Sequence, residues 1–325
     1  MASQFVVSLD FELYWGIRDL RTLESYFDNL NGVQQAIPQI LDLFQLHKVE
    51  ATWATVGFLF LSNFKEINNH LPNNLPTYIQ EILNPYPYIM SSALNFEDRL
   101  LKVHFAPELI LLIANTPGQE IGSHTYSHYY CLEKGQTIEQ FKADIQQNIY
   151  IAKQAGITIE TIILPRNQVN PYYESVLLEL GIKAYRGTPS SFIYSPRKHA
   201  SFDSIMLKGL RFFDTFFPII NHNTNISKST SGMINIPASR FLQPFANRPL
   251  GLEKLKINRI KAEMTKAAKN GSIYHLWWHP HNFGINTTEN LQQLHDILTH
   301  FNYLENSFGM KSINMKNLAN AFLKS

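Results

Sequence analysis

Residues 119–131 read QEIGSHTYSHYYC. The first six form a short strand that ends in a polar loop, and the loop carries His124 and His128, four residues apart. If the loop makes a helical turn, the two imidazoles share one face about 5–6 Å apart at Cβ, a spacing suited to one metal ion. Imidazole nitrogens bind zinc at about 2.0–2.1 Å. The plainer alternative is a pair of surface histidines in a polar loop, because H-x-x-x-H alone is a moderate signal. In either case, reactive side chains appear where an apolar strand stops.

The same pattern recurs along the chain. Residues 5–9 (FVVSL), 51–55 (within EATWATVGFLF), 158–165 (TIETIILP), 182–187 (IKAYRG), 232–239 (GMINIPAS) and 271–279 (GSIYHLWWH) read as strands. Helical spacing of apolar residues marks 33–47, 137–155, 172–180, 252–269 (a long basic helix) and 290–304. Strands alternating with helices imply right-handed βαβ units and parallel pairing. About seven such units over 325 residues fit a closed or nearly closed α/β barrel better than two small domains, so residues 1–325 are read as one domain. Two regions depart from the alternation, near 62–105 and 188–230. They are rich in Asn, Pro, Ser and aromatics (NNHLPNNLPTY, NHNTNISKSTSG) and read as long loop insertions of the kind that shape a barrel's cleft.

Three more strand ends carry chemistry. In SLDFELYWG, Asp10 and Glu12 are two apart, so both carboxylates lie on one side of an extended segment. They can share a cation, or one can bind metal while the other moves protons; alternatively, one is strand-terminal and the other solvated. In ILPRNQ, Arg166 directly follows a strand, either as a structural ion pair or as a bidentate clamp on a catalytic carboxylate. In YHLWWHPHNFG, His275, His279 and His281 alternate with apolar residues until Pro280 ends the strand. One such histidine is more often core than catalytic, whereas three at period two point towards a site.

Taken in order, D-x-E, H-x-x-x-H, an arginine after a later strand and H-P-x-x-F after the last strand resemble the NodB-like polysaccharide deacetylases (carbohydrate esterase family 4). EATWATVG looks like that family's second strand, A-T-F-F-x-x-G, and GMINIPAS like a later one; EIGSHTYSH is the most specific element. The likeness runs from about residue 4 to residue 284. It implies a distorted (β/α)7 barrel and metal-assisted removal of an N- or O-acetyl group from a sugar. Under it Asp10 is the general base, Arg166 orients Asp10, and His279 is the general acid. His124 and His128 are ligands of a divalent metal, zinc by donor type. The family's usual second aspartate is Phe11 here, which cannot ligate, so the metal's carboxylate falls to Glu12, as in divergent D-x-E members. Trp15 and His281 are expected to contact substrate.

Composition sets limits. Lys and Arg number 28 against 26 Asp and Glu, which gives no basis for phosphate-driven nucleic-acid binding. The single cysteine, Cys131, allows no internal disulfide and is read as packing. No signal peptide or membrane segment is evident, so a cytoplasmic location is expected, with a lipid- or nucleotide-linked acetylated sugar as substrate ahead of a finished polymer. Two rivals accompany this reading. One is a metal-independent cyclic-amide hydrolase of the same superfamily, suggested by Phe11. The other is a catalytically silent sugar-binding barrel, suggested by 4 Trp and 15 Tyr.

Overall fold

Alternation along the first strand (β1, Gln4–Phe11) sorts its side chains between two cores. Phe5, Val7, Leu9 and Phe11 enter the large core between sheet and helices. Val6 enters a smaller cluster on the opposite face, the side that Ser8 and Asp10 share. Both faces of the strand are buried, which is why the sequence reads as an almost continuous apolar run. The computed structural model describes residues 3–92, 98–189, 205–217, 225–249 and 251–324.

The remaining strands are β2 (Ala51–Thr55), β3 (Gln119–Ser123), β4 (Thr161–Ile162), β5 (Ala184–Tyr185), β6 (Ser227–Lys228), β7 (Ile234–Asn235), β8 (Arg240–Phe241), β9 (Ile273–Trp278) and β10 (Lys311–Ser312). β1 to β5 pair in sequence and in parallel, and β9 flanks β1 on its other side. One segment closes the ring. Residues 234–238 donate backbone hydrogen bonds to β5 and its continuation (Ile234 to Lys183, Ile236 to Tyr185, Ala238 to Gly187). Residues 239–242 then bond to β9 (Ser239 to His275, Leu242 to Trp277). Pro237, which has no N–H to offer, sits where the strand changes partner. Among the described residues, the wall is therefore β1, β2, β3, β4, β5, the 234–242 segment and β9, a distorted barrel of seven strands as expected.

Met315–Lys324, a helix the sequence reading did not foresee, joins the barrel's inner apolar cluster through Met315, Leu318 and Ala319. Buried Glu120 receives Thr52 Oγ1 (2.6 Å) and Thr161 Oγ1 (2.5 Å) and the backbone N–H of Lys316 at that helix's first turn (2.9 Å).

The 62–105 region differs from the expected loop. It holds helices Phe64–Asn69, Pro85–Ser92 and Asp98–Leu101, and it buries Phe64, Ile67, Tyr86, Ile89 and Phe105. Its Asn and Pro mark breaks between short helices, while its aromatics are the packing face. Leu23–Asn31 and Pro107–Ala114 are further helices beyond those expected. Of the 188–230 region, Ile205–Phe216 is helical, while 190–204 and 218–224 lie outside the described residues.

Candidate active site

The barrel wall brings Asp10 to the end of β1, facing inward. Its carboxylate is gripped by Arg186, one residue beyond β5, with Nη1 to Oδ1 at 2.7 Å and Nη2 to Oδ2 at 2.8 Å. The clamp on Asp10 is thus Arg186 and not the expected Arg166. Arg186 is fully buried and also donates to Ser8 Oγ (3.0 Å) and Asn167 Oδ1 (2.9 Å). Its guanidinium lies 4.0 Å over the ring of Trp277. Burial acts to raise the Asp10 pKa, but the charge and hydrogen bonds of Arg186, joined by the charges of His124 and His279, together hold the carboxyl below its ordinary value.

Arg166 turns away because the backbone at Arg166 and Asn167 is left-handed (φ 55° and 52°). Its Nη2 pairs with Asp19, and its guanidinium lies 4.3 Å over Tyr130. Asn167 makes the contact with Arg186 instead. No sequence signal separates the two arginines, since each follows a strand; the register of the barrel decides between them.

Glu12 lies just past β1 and turns back into the mouth. Any side chain on Gly16 would overlap its carboxylate, so the glycine clears the space that Glu12 occupies. Phe11 takes the opposite side of the strand and is core. Glu12 Oε2 is 3.1 Å from Nε2 of both His124 and His128. The other nitrogens of both rings are engaged: His124 Nδ1 lies 2.7 Å from the carbonyl of Ile163, and His128 Nδ1 lies 3.1 Å from the Tyr130 hydroxyl. A carbonyl can only accept, so His124 Nδ1 carries the proton, and in the neutral ring its Nε2 lone pair faces the carboxylate. Burial lowers the His128 pKa, against the pull of Glu12, and so favours its neutral ring. Burial acts to raise the Glu12 pKa, but His279 foremost, then His124 and His128, hold it well below its ordinary value. Two imidazole lone pairs converging on one carboxylate oxygen leave a shared position that a cation fits. Each ring's far nitrogen is fixed by an outer partner, as zinc-binding histidines usually are.

The histidine pair does not sit on a helical turn. Thr125 and His128 are left-handed (φ 64° and 59°), so the 124–130 loop folds back on itself. Asp144, from the helix Ile138–Gln154, fastens it by accepting from the N–H of Tyr126 (2.7 Å) and of Ser127 (3.1 Å) and from the Ser127 hydroxyl. Asn148 donates to the Thr125 carbonyl (3.0 Å). Neither residue was singled out in the sequence. The cue was polar residues at i and i+4 on the inner face of an otherwise amphipathic helix.

At the end of β9, His279 Nε2 lies 3.8 Å from Asp10 Oδ2 and 3.5 Å from Glu12 Oε1, with its side chain 23% exposed at the mouth. His281 stacks on it (centroids 4.9 Å, 14°) but is buried, and burial with the charge of His279 holds its pKa down to about 3. It packs as an aromatic ring beside His279, and Glu12, His279 and His281 also converge. His275 lies deeper, 2.8 Å from Ser8 Oγ.

Trp15 does not reach the mouth. It is 3% exposed, packed among Phe58, Phe64, His104 and Phe105, with its Nε1 donating to the His104 carbonyl (2.7 Å). The tryptophan beside His279 is Trp277, 5.6 Å away ring to ring. Cys131 is buried, with its thiol on the Gln168 carbonyl (2.9 Å), and burial pushes its pKa up to about 12.

The polysaccharide deacetylase family model matches residues 19–185. A Mycobacterium smegmatis protein assigned as a polysaccharide deacetylase superposes with a TM-score of 0.61 at 15% identity, covering 100% of this chain and 92% of its own. A Pseudomonas aeruginosa PAO1 protein of the same assignment gives 0.52 at 11%, covering 99% and 92%. The allantoinase PuuE gives 0.56 at 10%, covering 99% and 91%. No curated protein sequence matches the chain. With the family model spanning half its length and the barrel common to these structures, the chain belongs to the polysaccharide deacetylase family and is a hydrolase of the sugar-deacetylase kind.

Proposed function

We propose that the chain is a metal-dependent deacetylase of an acetylated sugar, with Glu12, His124 and His128 holding a divalent metal, zinc by donor type. The observation that carries this reading is the approach of two anchored imidazoles to one oxygen of Glu12, 3.1 Å each. When bound, such a metal supplies Lewis acidity and lowers the pKa of water from about 15.7 towards 7. Asp10, kept ionised by Arg186, accepts the proton of the attacking water on its carboxylate. His279, partly exposed and close to Asp10, delivers a proton to the leaving nitrogen or oxygen, which departs poorly without one. Arg186 and Asn167 hold Asp10 in place, and His281 sets the plane of His279 by stacking.

The substrate of this reading is an acetylated sugar, either in a polysaccharide or on a lipid or nucleotide carrier in surface-polysaccharide synthesis, with the whole chain acting as one catalytic domain in the cytoplasm. No described helix is long and apolar enough to cross a membrane. The test is metal analysis of the purified protein alongside acetate release from acetylated sugars. About one zinc per chain is expected, lost in both His124→Ala and His128→Ala, with turnover down at least about a hundredfold. Full turnover in metal-stripped protein would instead favour metal-independent C–N hydrolysis, and glycan binding without acetate release a silent barrel.

A further inference from the structure

The two carboxylate oxygens of Glu12 face different groups. Oε2 meets Nε2 of His124 and of His128 at 3.1 Å each, whereas Oε1 faces His279 Nε2 at 3.5 Å. His281 completes a second trio on that side. One nitrogen of His279, one of His281 and a carboxylate oxygen of Glu12 lie within 4.8 Å of one another. The short 3-10 turn Pro280–Phe283 follows His279 directly, and the two imidazoles stand face to face (centroids 4.9 Å, 14°). Tyr26 meets the His281 ring in an edge contact (5.5 Å, 82°), so the ring is held from two sides. It is 4% exposed, and its Nδ1 is buried without a hydrogen-bond partner. Packing alone does not call for an imidazole here. A phenyl ring would stack on His279 equally well and leave no buried polar atom unsatisfied.

Two imidazole nitrogens and one carboxylate oxygen are a donor set that zinc accepts. A carboxylate with separate ligands gathered at each oxygen matches two-metal sites, in which the ions stand about 3.5–4 Å apart. We propose that Glu12, His279 and His281 form a second divalent-metal site, which shares Glu12 with the first, one oxygen to each ion, and whose occupation inhibits the enzyme. Inhibition follows from the atom used. His279 Nε2, which faces both Glu12 and Asp10, is the atom that delivers the proton to the leaving group. A metal on that lone pair leaves no proton there to give. The second site is the weaker one. His124 and His128 are buried and fixed at their far nitrogens, whereas the His279 side chain is 23% exposed, so water competes for its place. This rests on the deacetylase reading and adds a control by metal supply to it.

The test strips the full chain with a chelator and returns zinc stepwise, in wild type and His281→Phe. Bound zinc is followed by equilibrium dialysis and turnover by acetate release from acetylated sugars. Thermal melting checks that the variant is folded. The wild type should take up about two zinc ions per chain, the first restoring turnover and the second, bound at least about tenfold more weakly, lowering kcat at least about tenfold. His281→Phe keeps a ring against His279 and should keep the first zinc. Loss of an outer partner alone costs about 10–100-fold in metal affinity, so loss of this ligand should weaken the second zinc at least about tenfold. Each protein is compared with itself at one and at two equivalents, so any effect of the substitution on turnover itself cancels. A wild type that stops at one zinc, a second zinc that leaves or raises turnover, or equal affinity for it in folded His281→Phe overturns the proposal. If no sugar releases acetate, the deacetylase reading fails separately and dialysis still decides on the site: a second zinc weakened in His281→Phe supports it, and one held equally overturns it. Should His281→Phe not fold, X-ray absorption of the doubly loaded wild type decides. A zinc–zinc distance of about 3.5–4 Å supports the shared carboxylate, and its absence overturns it.

Discussion

Arg186 and Arg166 follow adjacent wall strands and carry the same charge, yet they do different work. Arg186 is fully buried against Asp10 with both oxygens engaged, so removing one partner strands the other charge in the barrel. Arg186→Met should therefore destabilise the fold by about 3–5 kcal/mol in denaturant titration. Arg186→Lys keeps the charge but loses the fork and the stacking on Trp277. Its expected signature is a drop in kcat of about tenfold to a hundredfold with zinc content unchanged, and an acid limb of the pH–rate profile moved upward as Asp10 loses its clamp. Arg166→Lys should leave that limb in place, because Arg166 acts on Asp19. Equal shifts in the two lysine variants would contradict this division.

At the scale of elements, the 124–130 loop keeps its two left-handed residues because the helix behind it holds them. Asp144 accepts three hydrogen bonds from the loop, and Asp144→Ala leaves two buried backbone donors without a partner. At roughly 1–3 kcal/mol for each unsatisfied group, the fold should lose about 2–6 kcal/mol, and zinc affinity should fall with it. A variant with wild-type stability and zinc affinity would show that the loop holds its shape unaided. The sequence makes the strand ends legible because a strand wall buried on both sides cannot hide a polar residue. Asp10, His124, His128 and His279 stand out for that reason. Asp144, Asn148 and Arg186 did not stand out, since each acts through a partner more than ten residues away in the chain. Trp15 misled for a related reason. An aromatic beside an acid reads as a sugar platform, and only the three-dimensional packing shows Phe58, Phe64 and His104 around it.

Across the whole molecule, the buried histidines set the acid behaviour. Burial holds His104 down to about 4, and burial with the charge of Arg186 holds His275 down to about 3, against an ordinary value near 6.5. As pH falls below about 6.5 the unfolded chain takes up protons that these rings refuse, so stability is full above that point and declines towards 4. Asp10 and Glu12, lowered in the fold, add stability above about 4 and lose it only below. Asp144, whose carboxyl burial pushes up to about 7, and Glu120, also raised by burial, act the other way and gain stability as pH falls through this window. The melting temperature should fall between about pH 6.5 and 4.5 where the rings outweigh these two carboxyls, and a melting temperature that rises there would mean that the two rings titrate normally. The barrel's closure also has a consequence in time. β1 is made first and β9 near the end, and Val6 pairs with His275 across almost the whole chain. Until β9 is made, β1 keeps one edge unpaired and Asp10 has no His279 beside it. Contacts this distant in sequence form slowly, and an open apolar edge invites pairing with other chains. A ribosome making this protein therefore holds an unfinished sheet for most of its passage, and catalytic competence arrives only once the last wall strand has emerged.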